Sequence, residues 1–127
     1  CKGAMEHTKY EHLRVSPSPD VEGIAVITMC KPKVNALGVE LMTELTKALD
    51  TLAKDTSVKG ALLVSGFPTC YCGGLDLNGM KELAQLTTEE AVEKLRDFAC
   101  VVFEGLLRSC LSFPKPLATV VEGHALA

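Results

Sequence analysis

The strongest constraint on this chain is a hydrophobic pattern that changes period twice within about 40 residues. Ile24-Ala25-Val26-Ile27-Thr28-Met29 is β-branched and nearly continuous in its hydrophobicity, as expected of a strand buried on both faces. From Val39 to Ala53 the apolar residues Leu41, Met42, Leu45, Ala48, Leu49 and Leu52 recur at three- and four-residue steps, which places them on one stripe of an amphipathic helix. Ala61-Leu62-Leu63-Val64 then follows a Lys59-Gly60 break and reads as a second buried strand. Strand, helix and strand in that order form a βαβ unit with a right-handed crossover, so a parallel sheet and a layered α/β fold are implied.

The rest of the chain extends this plan. His12-Leu13-Arg14-Val15 alternates as an edge strand does, and Ser16-Pro17-Ser18-Pro19-Asp20 is expected to break it. Residues 1–21 are therefore taken as an N-terminal segment and 22–127 as the domain proper. Lys31-Pro32-Lys33 makes a turn after the first buried strand. Thr87 and Glu90 form a capping box, and Ala91, Val92, Leu95, Phe98, Ala99, Val102, Phe103, Leu106, Leu107 and Cys110 keep helical spacing behind it, which predicts one long helix. Phe113-Pro114-Lys115-Pro116 stops that helix, because proline lacks the amide donor and restricts the residue before it. Leu117 to Val121 is expected to be a third buried strand, running into Glu122-Gly123.

Composition removes several function classes. A chain of 127 residues with 47% apolar residues can bury one core, and a formal charge of -3 offers no positive field for nucleic acid. The apolar runs Gly23–Met29 and Leu117–Val121 fall far short of the ~20 residues a bilayer requires. Six cysteines stand at irregular spacings, so reduced and mostly buried thiols are expected rather than a disulfide framework. No secretory signal is visible, and a first residue of Cys1 rather than Met reads as a processing or cloning boundary.

In open α/β sheets ligands bind beyond the carboxyl ends of the strands, here Ser65 to Asp76 and Glu122 to Ala127. In Cys70-Tyr71-Cys72-Gly73-Gly74-Leu75-Asp76-Leu77 the glycines allow close backbone approach and a helix starts at about Leu77, so amides near Gly74 to Asp76 are placed to meet an anion. A plain glycine-containing loop has the same composition and stays open as an alternative. Cys70 and Cys72 are spaced as a Cys-x-Cys pair, but a zinc site needs four ligands and no second pair stands at finger spacing; no metal is expected.

Three stretches in order, Val34-Asn35-Ala36-Leu37, Cys70-Tyr71-Cys72-Gly73-Gly74-Leu75-Asp76-Leu77, and Phe113-Pro114-Lys115-Pro116 leading to Val121-Glu122-Gly123-His124-Ala125-Leu126-Ala127, resemble consecutive landmarks of the crotonase superfamily, the enoyl-CoA hydratases and isomerases. The resemblance runs from Glu22 to the last residue. It implies a crotonase-like layered βαβ spiral core, truncated before its C-terminal half, and makes residues 22–127 a partial acyl-CoA-binding domain. It implies an acyl-CoA substrate, with coenzyme A entering as part of that substrate and no separate cofactor. It also implies an enolate stabilised by two backbone amides, the first of them that of Leu75. By the same resemblance Gly73, Gly74, Leu75, Asp76, Leu77 and Asn78, with Ala36, line the path of the CoA moiety, and Lys33 stands where a basic residue meets CoA phosphates or is simply solvated.

The departures are equally specific. The second amide of the resemblance belongs to the middle of a small-residue triplet whose first place is Ala127, so the chain stops one residue short of it, and the catalytic glutamates of the family lie further on. The sequence therefore reads as the N-terminal part of a longer protein, inactive as it stands, whose full-length form is a homo-oligomer (trimer or hexamer) of the mitochondrial or peroxisomal matrix. Gly-Leu-Asp-Leu and Ala127 favour isomerase over hydratase. Asp76 is expected to cap a helix rather than to move protons, and Glu122 and His124 align with no catalytic position. The alternative function is a catalytically silent module that binds acyl-CoA or a protein partner.

Overall fold

A computed structural model describes residues 9–126; the polar opening up to Thr8, and Ala127 of the triplet, lie outside the described residues. The elements in chain order are β1 (Leu13–Pro17), β2 (Ile24–Met29), α1 (Val39–Lys54), β3 (Gly60–Ser65), β4 (Cys70–Gly73), α2 (Leu77–Leu83), α3 (Thr88–Asp97), a π-helical stretch (Phe98–Phe103), α4 (Glu104–Leu111), β5 (Leu117–Thr119) and β6 (His124–Leu126). One sheet has the order β1-β2-β3-β5, with β1 antiparallel to β2 and the other pairs parallel. A second, two-stranded sheet pairs β4 with β6 in parallel.

The βαβ unit stands as the pattern requires. All six apolar positions of the α1 stripe are buried, and Leu41, Leu45, Ala48, Leu49 and Leu52 meet Leu13, Ala25, Ile27, Met29, Val58 and Ala61 in one core. Each leucine so buried contributes about 1.5–3 kcal/mol relative to exposure. Lys115 closes the far end of α1, its Nζ donating to the carbonyls of Leu52 and Asp55 at 2.6 Å each. These are carbonyls that a helix C-terminus otherwise leaves to water.

Several expectations are corrected. β2 is not buried on both faces: Ala25, Ile27 and Met29 point into the core while Ile24, Val26 and Thr28 are half-exposed. The apolar character of that run comes from β-branching as much as from burial. β1 continues through Ser16 and Pro17, because at a sheet edge proline loses no ladder bond that another strand needs. The long helix is capped as read, with Thr87 Oγ1 accepting from Glu90 and the Glu90 carboxylate accepting from Thr87. It is nevertheless interrupted, since the Glu104 N–H reaches back five residues to the Ala99 carbonyl. That wider turn inserts one residue and rotates the apolar stripe by about 100°. As a result α4 and the π stretch lie against α1, α3 leans on the π stretch, and no residue of the three is buried.

The third strand is also shorter and more exposed than expected. β5 stops at Thr119, and Val120 and Val121 are exposed, because β5 has a sheet neighbour on one side only. Of the five described cysteines, all free, only Cys70 and Cys72 are buried; Cys30 and Cys110 are half-buried and Cys100 is exposed.

Candidate functional site

The two glycine-bearing segments named from the sequence come together in the fold. β4 and β6 place Cys70 opposite His124, Cys72 opposite Ala125 and Gly73 opposite Leu126. Gly123 makes this possible: its φ is +72°, and a Cβ there would collide with the Thr69 carbonyl. The sequence showed these as loops because strands of three and four residues carry no legible periodicity.

On its other side the end of β4 is flanked by the turn between β2 and α1. The Asn35 N–H closes that turn onto the Lys31 carbonyl at 3.1 Å, and the Val34 carbonyl accepts from the Gly73 N–H at 2.7 Å. Leu37 then donates to the Gly74 carbonyl at 2.7 Å and accepts from the Asp76 N–H at 3.0 Å. One residue bonding to both neighbours of another is the parallel-bridge pattern, here Leu37 opposite Leu75. It turns the N–H of Leu75 to the side away from Leu37, and among the described residues that N–H meets no acceptor. Gly74, at φ +82°, supplies the left-handed step that lets the chain turn here.

Two polar clusters hold the turn. Lys31 Nζ lies 2.7 Å from Asp76 Oδ2 and 3.4 Å from Glu40 Oε2. Asp76 Oδ1 accepts the Asn78 N–H at 3.0 Å, so the carboxylate caps the start of α2 as the sequence reading holds. The Lys31 hydrogen bond and the Asn78 N–H hold the Asp76 carboxyl below its ordinary value of 3.8. Burial acts to lower Lys31, yet the bond and charge of Asp76, with Glu40 behind it, outweigh burial and leave the ammonium above its ordinary 10.5. A carboxylate so committed is poorly suited to carry protons.

The second cluster centres on Asn35, which is 0% exposed and has φ +50°. Its Nδ2 donates to Ser65 Oγ at 2.9 Å and to the Tyr71 carbonyl at 3.1 Å. Ser65 Oγ in turn donates to the Cys70 carbonyl at 2.7 Å and accepts from the Phe67 N–H at 3.0 Å. Asn35 Oδ1 is buried without a partner among the described residues, an arrangement that costs about 1–3 kcal/mol. The two buried thiols belong to the same knot. Cys70 donates to the Val34 carbonyl at 3.7 Å and Cys72 to the Asn35 carbonyl at 3.5 Å, while the Gly74 N–H points at Cys72 Sγ at 3.4 Å.

The structure thus brings Ala36, Gly73, Gly74, Leu75 and Asp76 together along two adjacent backbones. Leu77 and Asn78 stand in the first turn of α2, with Leu77 70% exposed. Lys33 is exposed in the turn, and His124 and Glu122 are exposed as well. Lys31, Asn35 and Ser65 are functional candidates that sequence reasoning missed. Only Asn35, inside a quoted motif, left any signal.

The comparisons with known proteins agree with this geometry. The family model "Enoyl-CoA hydratase/isomerase" matches residues 20–127. The chain is 31% identical over 115 residues to enoyl-CoA hydratase domain-containing protein 2, mitochondrial, of Homo sapiens, which covers 90% of the chain and 36% of that protein. It is 41% identical over 68 residues to enoyl-CoA delta isomerase 1, mitochondrial, of Homo sapiens, covering 53% of the chain and 22% of that protein. Among solved structures an enoyl-CoA hydratase from Bacillus halodurans superposes with a TM-score of 0.72 at 19% identity, over 88% of the chain and 42% of that structure, a likeness of fold. The chain spans about a third of the length of the first of these relatives. With the family model matching from Asp20 to the last residue, and with the Leu37–Leu75 bridge built from the motifs that carried the resemblance, the chain belongs to the enoyl-CoA hydratase/isomerase family, on the crotonase fold.

Proposed function

We propose that the protein processes an acyl-CoA thioester, as an enoyl-CoA isomerase or hydratase, with the Leu75 N–H as one donor of an oxyanion hole. The observation that carries this reading is the outward N–H of Leu75, which meets no acceptor among the described residues and is held by the two bonds of Leu37 to its neighbours. In either reaction negative charge builds on the thioester oxygen as the acyl chain gains or loses a proton. A donor fixed where that charge develops contributes about 2.7–4 kcal/mol to the transition state. The side chain of Leu75 takes no part, which is why a leucine serves.

Around this donor, Ala36 and the stretch from Gly73 to Asn78 offer backbone for the pantetheine arm, and Lys33 offers an exposed charge to the CoA phosphates. Coenzyme A is then part of the substrate and not a cofactor. The Gly-Leu-Asp-Leu form favours isomerase. The names of the two human relatives place those proteins in mitochondria, and a mitochondrial matrix location is proposed here by analogy, with a peroxisomal one second. A homo-oligomer, trimer or hexamer, is proposed for the whole protein. The 127 residues alone are expected to turn over poorly, since acid/base catalysis adds roughly 10²- to 10⁴-fold that the committed Asp76 does not supply.

The test is turnover of trans-3- and trans-2-enoyl-CoA by the native polypeptide from its source, with and without an amide-to-ester exchange that deletes the Leu75 N–H. A fall in kcat of about 10²- to 10³-fold with little change in KM is expected. Acyl-CoA binding without turnover of either substrate establishes the silent module in place of the enzyme. Absence of acyl-CoA binding overturns the enzyme and the acyl-CoA-binding module together and leaves the module that binds a protein partner.

A further inference from the structure

We infer that Asn35 is a positioning residue that sets the direction of the Leu75 N–H; the inference rests on the reading of Leu75 as an oxyanion donor. Of the ties that run from 71–74 back to the turn, those of Tyr71 and Cys72 meet at this residue, while Gly73 bonds to Val34 and Gly74 to Leu37 on either side of it. Its side chain joins the end of β3, through Ser65 Oγ, to the Tyr71 carbonyl in β4. Its own carbonyl takes the Cys72 thiol, and that sulfur receives the Gly74 N–H. Two residues on, Leu37 brackets Leu75. A change in the pose of Asn35 therefore reaches Leu75 from both sides, through Cys72 and Gly74 on one strand and through Leu37 on the other.

As a purely structural filler Asn35 is poorly chosen. It sits in the left-handed region, which asparagine tolerates better than most side chains but glycine better still. It also buries an amide oxygen with no partner among the described residues, where an apolar group leaves none to satisfy. What the amide supplies is direction: two N–H donors from one planar group, aimed at acceptors on two different strands. Strain and an unpaired group held beside a reacting atom are the pattern expected of pre-organisation.

The experiment uses the native polypeptide with Asn35→Gly, Asn35→Asp, Ser65→Ala and Ser65→Thr. Asn35→Gly keeps the backbone region and deletes the ties, and Asn35→Asp keeps the shape and replaces the donors with acceptors. Expected is a kcat lower by about 10- to 100-fold in both, since misplacing a donor by an ångström costs on that order, with KM and acyl-CoA affinity within about threefold. Ser65→Ala should fall in the same direction by less, and Ser65→Thr, which keeps the hydroxyl, should recover. Val58→Ala, a core truncation away from the turn, controls for lost stability and should keep kcat.

A second readout needs no turnover: the backbone amide resonance of Leu75 should move in Asn35→Gly and not in Val58→Ala. An unchanged kcat, a loss carried entirely by KM, or an unmoved Leu75 resonance in folded Asn35→Gly overturns the inference. If the unmodified protein turns over no enoyl-CoA, the enzymatic reading fails and the Leu75 resonance alone decides the role of Asn35. If Asn35→Gly does not fold, Ser65→Ala is judged by the same two readouts.

Discussion

Lys31 and Lys33 flank one proline and are indistinguishable in the sequence, yet the fold gives them different tasks. The Lys31 ammonium lies between Asp76 and Glu40, with its side chain 12% exposed, while Lys33 is exposed in the turn. Lys31→Met is accordingly expected to cost about 1–3 kcal/mol in denaturant unfolding, because it leaves a partly buried carboxylate without its charged donor. Lys33→Met should stay within about 0.5 kcal/mol. The pair also imposes a pH dependence. The folded state holds the Asp76 proton more weakly than the unfolded chain, so the stabilisation is complete above the ordinary carboxylate value of 3.8 and is lost as pH falls through the lowered one. Lys31, held above 10.5, contributes fully below that value and loses its part as pH rises beyond it. Melting curves between about pH 5 and 2 should therefore fall more steeply for the unaltered chain than for Asp76→Asn; parallel curves would remove the pair from the account. The motif around Asn35 was readable, whereas its role was not, since the partners Ser65 and Tyr71 are about 30 residues further along the chain.

The two helical segments show which sequence signals survive folding. In α1 the stripe read from the sequence is the buried stripe, residue for residue, because the segment lies between two strands whose order fixes its position. The stripe behind Thr87 has the same spacing and an intact capping box, yet none of it is buried: Leu106 and Cys110 are half-buried against the core, while Val92, Leu95, Phe103 and Leu107 are exposed. Periodicity reports which face is apolar and not what covers it. Leu49 and Leu95 test that difference with one chemistry. Leu49 is 3% exposed and Leu95 is 43% exposed, so Leu49→Ala should cost about 2–5 kcal/mol and Leu95→Ala less than about 1. Equal costs measured by equilibrium unfolding would mean that the second helix is packed in solution. Short β4 and β6 were hidden for a different reason: each is defined by its partner, and pairing across the chain leaves no local trace.

For the molecule as a whole, large apolar side chains stand exposed on the helical arm and beyond it. Val101, Phe103, Leu107 and Leu111 are exposed along the helical arm, Val120 and Val121 in the link between β5 and β6, and Leu126 in β6. Apolar area of this kind promotes association. Sedimentation of the 127-residue polypeptide should give an average mass that rises with concentration above 13.6 kDa. Leu107→Lys with Leu111→Lys, one helical turn apart, should return it towards the monomer; a constant 13.6 kDa for the unaltered chain would count against an adhesive face.

The pairing of β4 with β6 carries a further consequence for how such a chain tolerates change. Cys70 meets His124, so α2, α3, the π stretch, α4 and β5 all lie inside a single closed loop of roughly 50 residues. The entropy of closing a loop grows only with the logarithm of its length, and doubling this one adds only about 0.6 kcal/mol. Residues inserted in the stretch between α2 and α3, within that loop and away from its ends, therefore leave the free energy of closing it almost unchanged. One residue inserted between Asn35 and Leu37 shifts the bond that aims Leu75 by a whole position. Length is a free variable on one side of this site and a fixed one on the other.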